Sequence, residues 1–121
     1  MAKRILAVDD SRTMREMVCF TLRSAGFEVS EAEDGKKALT ALETAKVDLV
    51  VTDINMPNMD GIALIRSLRA DARHRAMPII ILTTESDAAK KAEGRAAGAT
   101  AWLVKPFSPE RLVEVINKVC P

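Results

Sequence analysis

Cysteine and histidine are scarce in this chain of 121 residues, which holds two of the first and one of the second. Cys19 falls inside a helical pattern and Cys120 is next to last, so no disulfide framework can be drawn. A reduced, cytoplasmic protein is expected. His74 stands among arginines with no second soft ligand nearby, which argues against a zinc site. Long apolar runs are missing too. Stretches such as Ile79 to Leu82 fall far short of the roughly 20 residues that span a bilayer. The opening MAKRILAVDD meets an acidic pair soon after its apolar run begins, unlike a signal peptide. A Gly-rich phosphate loop is absent, which argues against a bound nucleotide. Charge of one sign is also lacking. The net value is +1, so nucleic acid is not expected as the main partner.

What is present suits one soluble domain spanning residues 1–121. At this length folding hides roughly two-thirds of the extended chain's surface, enough for a core without staples. Hydrophobic residues make up 48% and charged residues 29%, ordinary for a globular protein. The halves differ in sign: residues 1–60 hold 8 Lys/Arg against 11 Asp/Glu, and residues 61–121 hold 10 against 6. The basic cluster Arg66, Arg69, Arg73 and Arg75 reads first as a solvated helix face and loop, and second as a weak surface for an acidic partner.

Short apolar runs alternate with helical patterns along the whole chain. Ile5–Val8 reads as a strand, followed by a helix from Ser11 to about Ala25 on the spacing of Met14, Val18, Thr21, Leu22 and Ala25, with Gly26 as its stop. Residues 27–32 make a second strand, and Ala38, Leu39 and Leu42 mark a helix after Asp34-Gly35. Residues 49–53 form a third strand, followed by a helix on Leu64, Ile65 and Leu68. Residues 78–83 form a fourth strand, with Pro78 at its start, where a missing amide hydrogen does least harm. The fourth helix, 87–99, lacks large apolar side chains and carries Gly94 inside it, at a cost of about 1 kcal/mol relative to Ala. Residues 101–104 form the fifth strand. A last helix opens at Ser108-Pro109 and shows Leu112, Val115, Ile116 and Val119 on one face. Five strands alternating with five helices predict an α/β three-layer sandwich around a parallel sheet.

In such a sheet the strands end on one side, and ligands bind there. The first strand ends in Asp9-Asp10, the third in Asp53, the fourth in Thr83-Thr84, the fifth in Lys105-Pro106. Each has a bland use: Asp10 or Ser11 as a helix cap, Asp53 as a turn residue, Thr83 satisfied locally, Lys105 in an extended junction. Those uses are independent of one another and do not predict a cluster. Two carboxylates about 4 Å apart repel by roughly 4 kcal/mol at an effective dielectric of 20. Either some of them hold protons or a cation sits among them. The available ligands are hard oxygens (carboxylates, the Asn55 side chain, nearby carbonyls), and these suit Mg2+. A metal, a lysine and a hydroxyl are what a transferring phosphoryl group requires, and a carboxylate can be its acceptor. Asp53, a carboxylate closing a buried strand, is read as that acceptor.

At these residues the chain resembles the receiver domains of two-component response regulators. The resemblance rests on VDD (8–10), DINMPNMDG (53–61), LTT (82–84) and VKPF (104–107), in order, across the whole chain. It implies a flavodoxin-like sheet in the order 2-1-3-4-5. It also implies that Asp53 is phosphorylated by a phosphohistidine of a histidine kinase or its phosphotransfer domain. Asp10, Asp53 and the Asn55 carbonyl would ligate Mg2+, with Asp9 acting largely through water. Thr83 and Lys105 would contact the phosphoryl oxygens, and the Lys105–Pro106 peptide bond would be cis. Such a protein is a phospho-accepting signalling protein rather than a classical enzyme, and it assists its own phosphorylation and dephosphorylation.

Within the family, DDSRTMREMV, EAEDG and NMPNMDG resemble the single-domain chemotaxis regulators, which implies a monomer that binds a flagellar motor switch protein. A phosphorelay intermediate, or a receiver from a longer regulator, is the alternative. Trp102 lies where the family's aromatic switch residue lies, paired with Thr83. Here it replaces the usual Tyr or Phe, in a chain without tyrosine. The plain alternative for Trp102 is a partly buried anchor of the sheet edge. The Gly94 helix is expected to be the pliable element that accommodates it. Output would run through the fourth helix, fifth strand and fifth helix. Glu85, with Asn55, would flank the phosphate and tune its lifetime.

From another class, a hydrolase working through an aspartyl phosphate would want an acid two residues after Asp53, where Asn55 stands. A flavodoxin-like FMN binder would suffer repulsion between the carboxylates and the cofactor's phosphate. An unphosphorylated interaction module would be expected to lose some of the five site residues, and none is lost.

Overall fold

A computed structural model describes residues 2–121. The strands are β1 (Arg4–Val8), β2 (Glu28–Ala32), β3 (Leu49–Thr52), β4 (Ile79–Thr83) and β5 (Ala101–Val104). The helices are α1 (Arg12–Ser24), α2 (Gly35–Thr44), α3 (Gly61–Ala70), α4 (Ala88–Ala97) and α5 (Pro109–Val119). All strand pairs are parallel and the order is β2-β1-β3-β4-β5, as expected.

The middle strands β3 and β4 are buried along their whole length, and β1 from Ile5 onward. Each strand therefore needs apolar residues facing both ways. Alternation sorts those residues into two cores. Leu6, Val8, Val50, Ile79 and Ile81 face α2, α3 and α4, where they meet Ala38, Leu42, Ile62, Leu64 and Leu68. Ile5, Ala7, Leu49, Val51, Ile80 and Leu82 face α1 and α5, meeting Val18, Leu22, Leu112, Val115 and Ile116. The edge strands are less covered: β2 buries only Ala32 fully, and Val104 on β5 is 40% exposed.

Every helix begins on a side-chain cap. Ser11, Asp34, Asp60, Asp87 and Ser108 sit in extended backbone and accept from an amide in the first turn. Each replaces a partner that the helix start lacks. Ser11, not Asp10, caps α1, which leaves the Asp10 carboxylate free of that task. Gly26, at φ +95°, follows the end of α1 as expected. The helical face of α1 is narrower than its spacing suggests: Val18, Cys19 and Leu22 are buried, whereas Ala25 is exposed and Met14 half-buried. The Lys105–Pro106 bond is cis. Among the described residues no helix is long and apolar enough to cross a membrane.

Candidate phosphoryl-accepting site

The sheet register brings the sequence-distant groups together. Val8 pairs with Thr52, so Asp9 and Asp53 follow side by side, and the Asp53 amide donates to the Val8 carbonyl at 2.9 Å. Thr83 pairs with Val104, and the Lys105 amide donates to the Thr83 carbonyl at 2.7 Å. The ladder thus continues one residue past β3 and β5, which holds the functional side chains on stiff backbone.

Lys105 reaches from the end of β5 across to β1 and β3. Its ammonium donates to Asp9 Oδ2 at 2.7 Å and to Asp53 Oδ2 at 3.2 Å. The lysine and Asp9 side chains are each 6% exposed and Asp53 is 13%. Burial alone would pull the ammonium pKa down. The Asp9 hydrogen bond and the charges of Asp53 and Asp9 outweigh it and hold the pKa above the ordinary lysine value. The remaining carboxylate oxygens are also engaged: Asp9 Oδ1 accepts from the Ser11 amide at 2.9 Å and Asp53 Oδ1 from the Ile54 amide at 2.7 Å. Arg15 braces the turn by donating to the Asp9 carbonyl at 2.8 Å.

Asp9, Asp10 and Asp53 each bring one carboxylate oxygen within 4.8 Å of the others. Opposite ligands of an octahedral Mg2+ lie about 4.2 Å apart, so the trio is compact enough that it could hold one ion. The donors are all hard oxygens, as Mg2+ prefers. Lys105 supplies only one positive charge against three carboxylates, so the cluster favours a further cation. A groove of about 450 Å3 opens over the trio, lined also by Met14, Met17, Thr84, Lys105 and Phe107.

Not every expected residue lines that groove. Thr83 is fully buried, and its hydroxyl accepts from the Glu85 amide at 3.2 Å. Its local satisfaction, one of the bland uses, is therefore present in this structure. Trp102 is half-buried, and its indole N–H donates to the Glu85 carbonyl at 3.2 Å. Thr83 and Trp102 thus hang on the two sides of one residue's backbone. Asn55 is exposed on the loop after β3. That loop closes at its base, where the Gly61 amide donates to the Ile54 carbonyl at 2.8 Å. A Cβ on Gly61 would stand 2.1 Å from the Asp53 carbonyl oxygen, so only glycine permits this closure. Sequence reasoning had no role for Met14 and Met17 at the mouth of the groove. Their spacing of three on α1 was the available signal.

The sequence profile of the response regulator receiver domain matches residues 5–117. The chain is 42% identical over 117 residues to the chemotaxis protein CheY of Pseudomonas aeruginosa, covering 96% of this chain and 94% of that one. The solved structure of the chemotaxis response regulator CheY4 of Vibrio cholerae is similar at a TM-score of 0.92 and 44% identity, over 98% of this chain and 99% of that one. Also similar is the receiver domain of a Pseudomonas aeruginosa sensor histidine kinase, described with magnesium coordinated in its active-site cleft. Its TM-score is 0.92 at 28% identity, covering 99% of this chain and 98% of that one. On a profile match over nearly its whole length, the chain belongs to the response regulator receiver domain family.

Proposed function

We propose that residues 1–121 act as one receiver unit that takes a phosphoryl group on Asp53 from a phosphohistidine and changes surface in response. The observation that carries this reading is the shared Lys105 ammonium, held at 2.7 Å by Asp9 and at 3.2 Å by Asp53. An Asp53 carboxylate oxygen attacks phosphorus, the P–N bond to the donor imidazole breaks, and the imidazole nitrogen keeps the electron pair. Lys105 stays on Asp9 through its shorter bond and turns its other contact from Asp53 to a phosphoryl oxygen. Asp10, Asp53 and the Asn55 carbonyl would hold Mg2+, with Asp9 acting through water. The ion supplies charge neutralisation on the phosphoryl oxygens. Asn55 and Glu85 would flank the bound phosphate.

The switch follows from the shared backbone of Glu85. When the Thr83 hydroxyl turns to the phosphoryl group, it gives up the Glu85 amide, and the Glu85 carbonyl is what holds Trp102. Phosphorylation thereby shifts the population of the α4–β5–α5 face. The phosphodonor is a histidine kinase or its phosphotransfer domain. The role is in chemotaxis, in line with the names of the relatives, and the target is a flagellar motor switch protein. The chain works in the cytoplasm as a monomer.

One experiment tests both halves. With Mg2+ and labelled acetyl phosphate, Asp53→Asn should take up no label while its circular dichroism matches the wild type. The wild type loaded with beryllofluoride should retain motor switch protein, and Asp53→Asn should not. Labelling of Asp53→Asn at the wild-type rate would remove Asp53 from its place.

A further inference from the structure

The loop that leaves Asp53 is fastened to an element that the proposed reaction leaves without a task. Asp34, the N-cap of α2, is only 3% exposed, a rare place for a carboxylate. Its Oδ1 accepts from the Lys37 amide at 2.8 Å, as capping requires. Its Oδ2 turns away from the helix and accepts from the Asn58 side-chain amide at 2.9 Å, across 24 residues. Beside it, the Gly35 amide donates to the Met59 carbonyl at 3.1 Å. Two adjacent residues at the start of α2 are thus bonded to two adjacent residues of the loop.

Capping explains neither half of this arrangement. A cap uses one oxygen, and serine or threonine would serve. Asn58 holds φ +67°, a conformation uncommon outside glycine but better tolerated by asparagine. That backbone closes a tight turn, in which the Met59 amide donates to the Pro57 carbonyl at 2.7 Å, and in this turn the Asn58 side chain meets Asp34. With the base of the loop closed by Gly61 and its far side tied to Asp34, Asn55 lies between two fastened points.

We infer that Asp34 and Asn58 are positioning residues for the metal end of the site, holding the loop so that the Asn55 carbonyl is in place before the ion arrives. The inference rests on the Mg2+ reading above. A ligand carried on a free loop would lose conformational entropy on binding, and a pre-fastened loop loses less.

The test uses the whole chain and three variants. Asn58→Gly removes the amide but keeps the backbone conformation accessible. Asp34→Ser keeps a capping oxygen for the Lys37 amide but is too short to keep the bond to Asn58. The double variant Asp34→Asn/Asn58→Asp exchanges donor and acceptor and restores the wild-type charge. Mg2+ affinity is read by isothermal titration calorimetry and stability by urea unfolding in EDTA, with circular dichroism confirming the fold. Each single variant should weaken Mg2+ binding about tenfold, in the range seen when supports of metal ligands are removed. The double variant should return to within about twofold of wild type, as a true pairwise interaction requires.

Single variants that lose stability but bind Mg2+ like wild type would make the pair a plain cap and overturn the inference. A double variant that recovers stability without recovering affinity would also overturn it. A wild-type chain that binds no Mg2+ would overturn the site reading, and this inference with it.

Discussion

Lys105 is the residue on which the metal-free site depends. It is buried with Asp9 and Asp53, so removing it leaves two carboxylates facing each other in a poorly solvated place. Lys105→Met keeps the apolar stem and should cost about 3 kcal/mol in EDTA by urea unfolding, the size expected when one partner of a buried pair is lost. Mg2+ then has no ammonium to compete with, binds the variant more tightly and should narrow the gap to wild type. An equal loss with and without Mg2+ would show that the lysine is not what neutralises the trio. These charged residues were legible in the sequence because each stands where an apolar run stops. The geometry of Thr83 was not, since a hydroxyl at a strand end can turn to its own chain or to a ligand with equal ease.

At the scale of elements, α4 shows where local propensity and tertiary fit disagree. Gly94 costs the helix about 1 kcal/mol by propensity alone, a puzzle while only the sequence is read. The structure resolves it: a Cβ on Gly94 would lie 2.9 Å from Trp102 Cζ3 and 3.0 Å from Ile81 Cδ1. The glycine is a notch for the indole, and the cost in propensity is offset by that fit. Gly94→Ala should therefore give none of the expected stabilisation. It should also push Trp102 outward, read as a red shift in emission from the chain's only tryptophan. In a Trp102→Phe background Gly94→Ala should recover part of the gain of about 1 kcal/mol, the contact with Ile81 remaining. A more stable Gly94→Ala with unshifted emission would contradict the notch. The other buried member of α4 is Ala97, consistent with a lightly anchored helix, and hydrogen exchange slowest in α4 would count against its pliability.

Over the whole molecule the five-and-five alternation was readable because buried parallel strands are short and apolar on both faces and each helix carries a cap. The surface was less readable. Met17 is 51% exposed and Phe20 75%, and spacing alone cannot tell an apolar residue beside the core from one beside an open groove. Acid should expose a collective property of the fold. The Asp34 carboxyl is held below the usual range by the Lys37 amide and then by Asn58. Asp71 is drawn to about 2 by its hydrogen bond to the Arg73 side chain, and Glu110 is lowered by its own amide and by Ser108. A carboxylate with a depressed folded pKa stabilises the fold above its unfolded value, and that contribution disappears as pH falls through the folded one. The urea midpoint should stay level down to about pH 5 and fall steeply between about pH 4 and pH 2. Repulsion among 18 Lys/Arg adds to the fall as the acids lose their charge. A midpoint at pH 2.5 equal to that at pH 7 would contradict this, and Arg73→Ala should make the decline shallower.

Gly61 carries no charge and touches no ligand, yet it lies against the carbonyl of Asp53 more closely than any side chain would allow. Anyone transplanting this pocket onto another scaffold by copying its acids and its lysine would obtain the right chemistry on a displaced backbone. The glycine has to travel with them, as the spacer that sets how far the nucleophile projects.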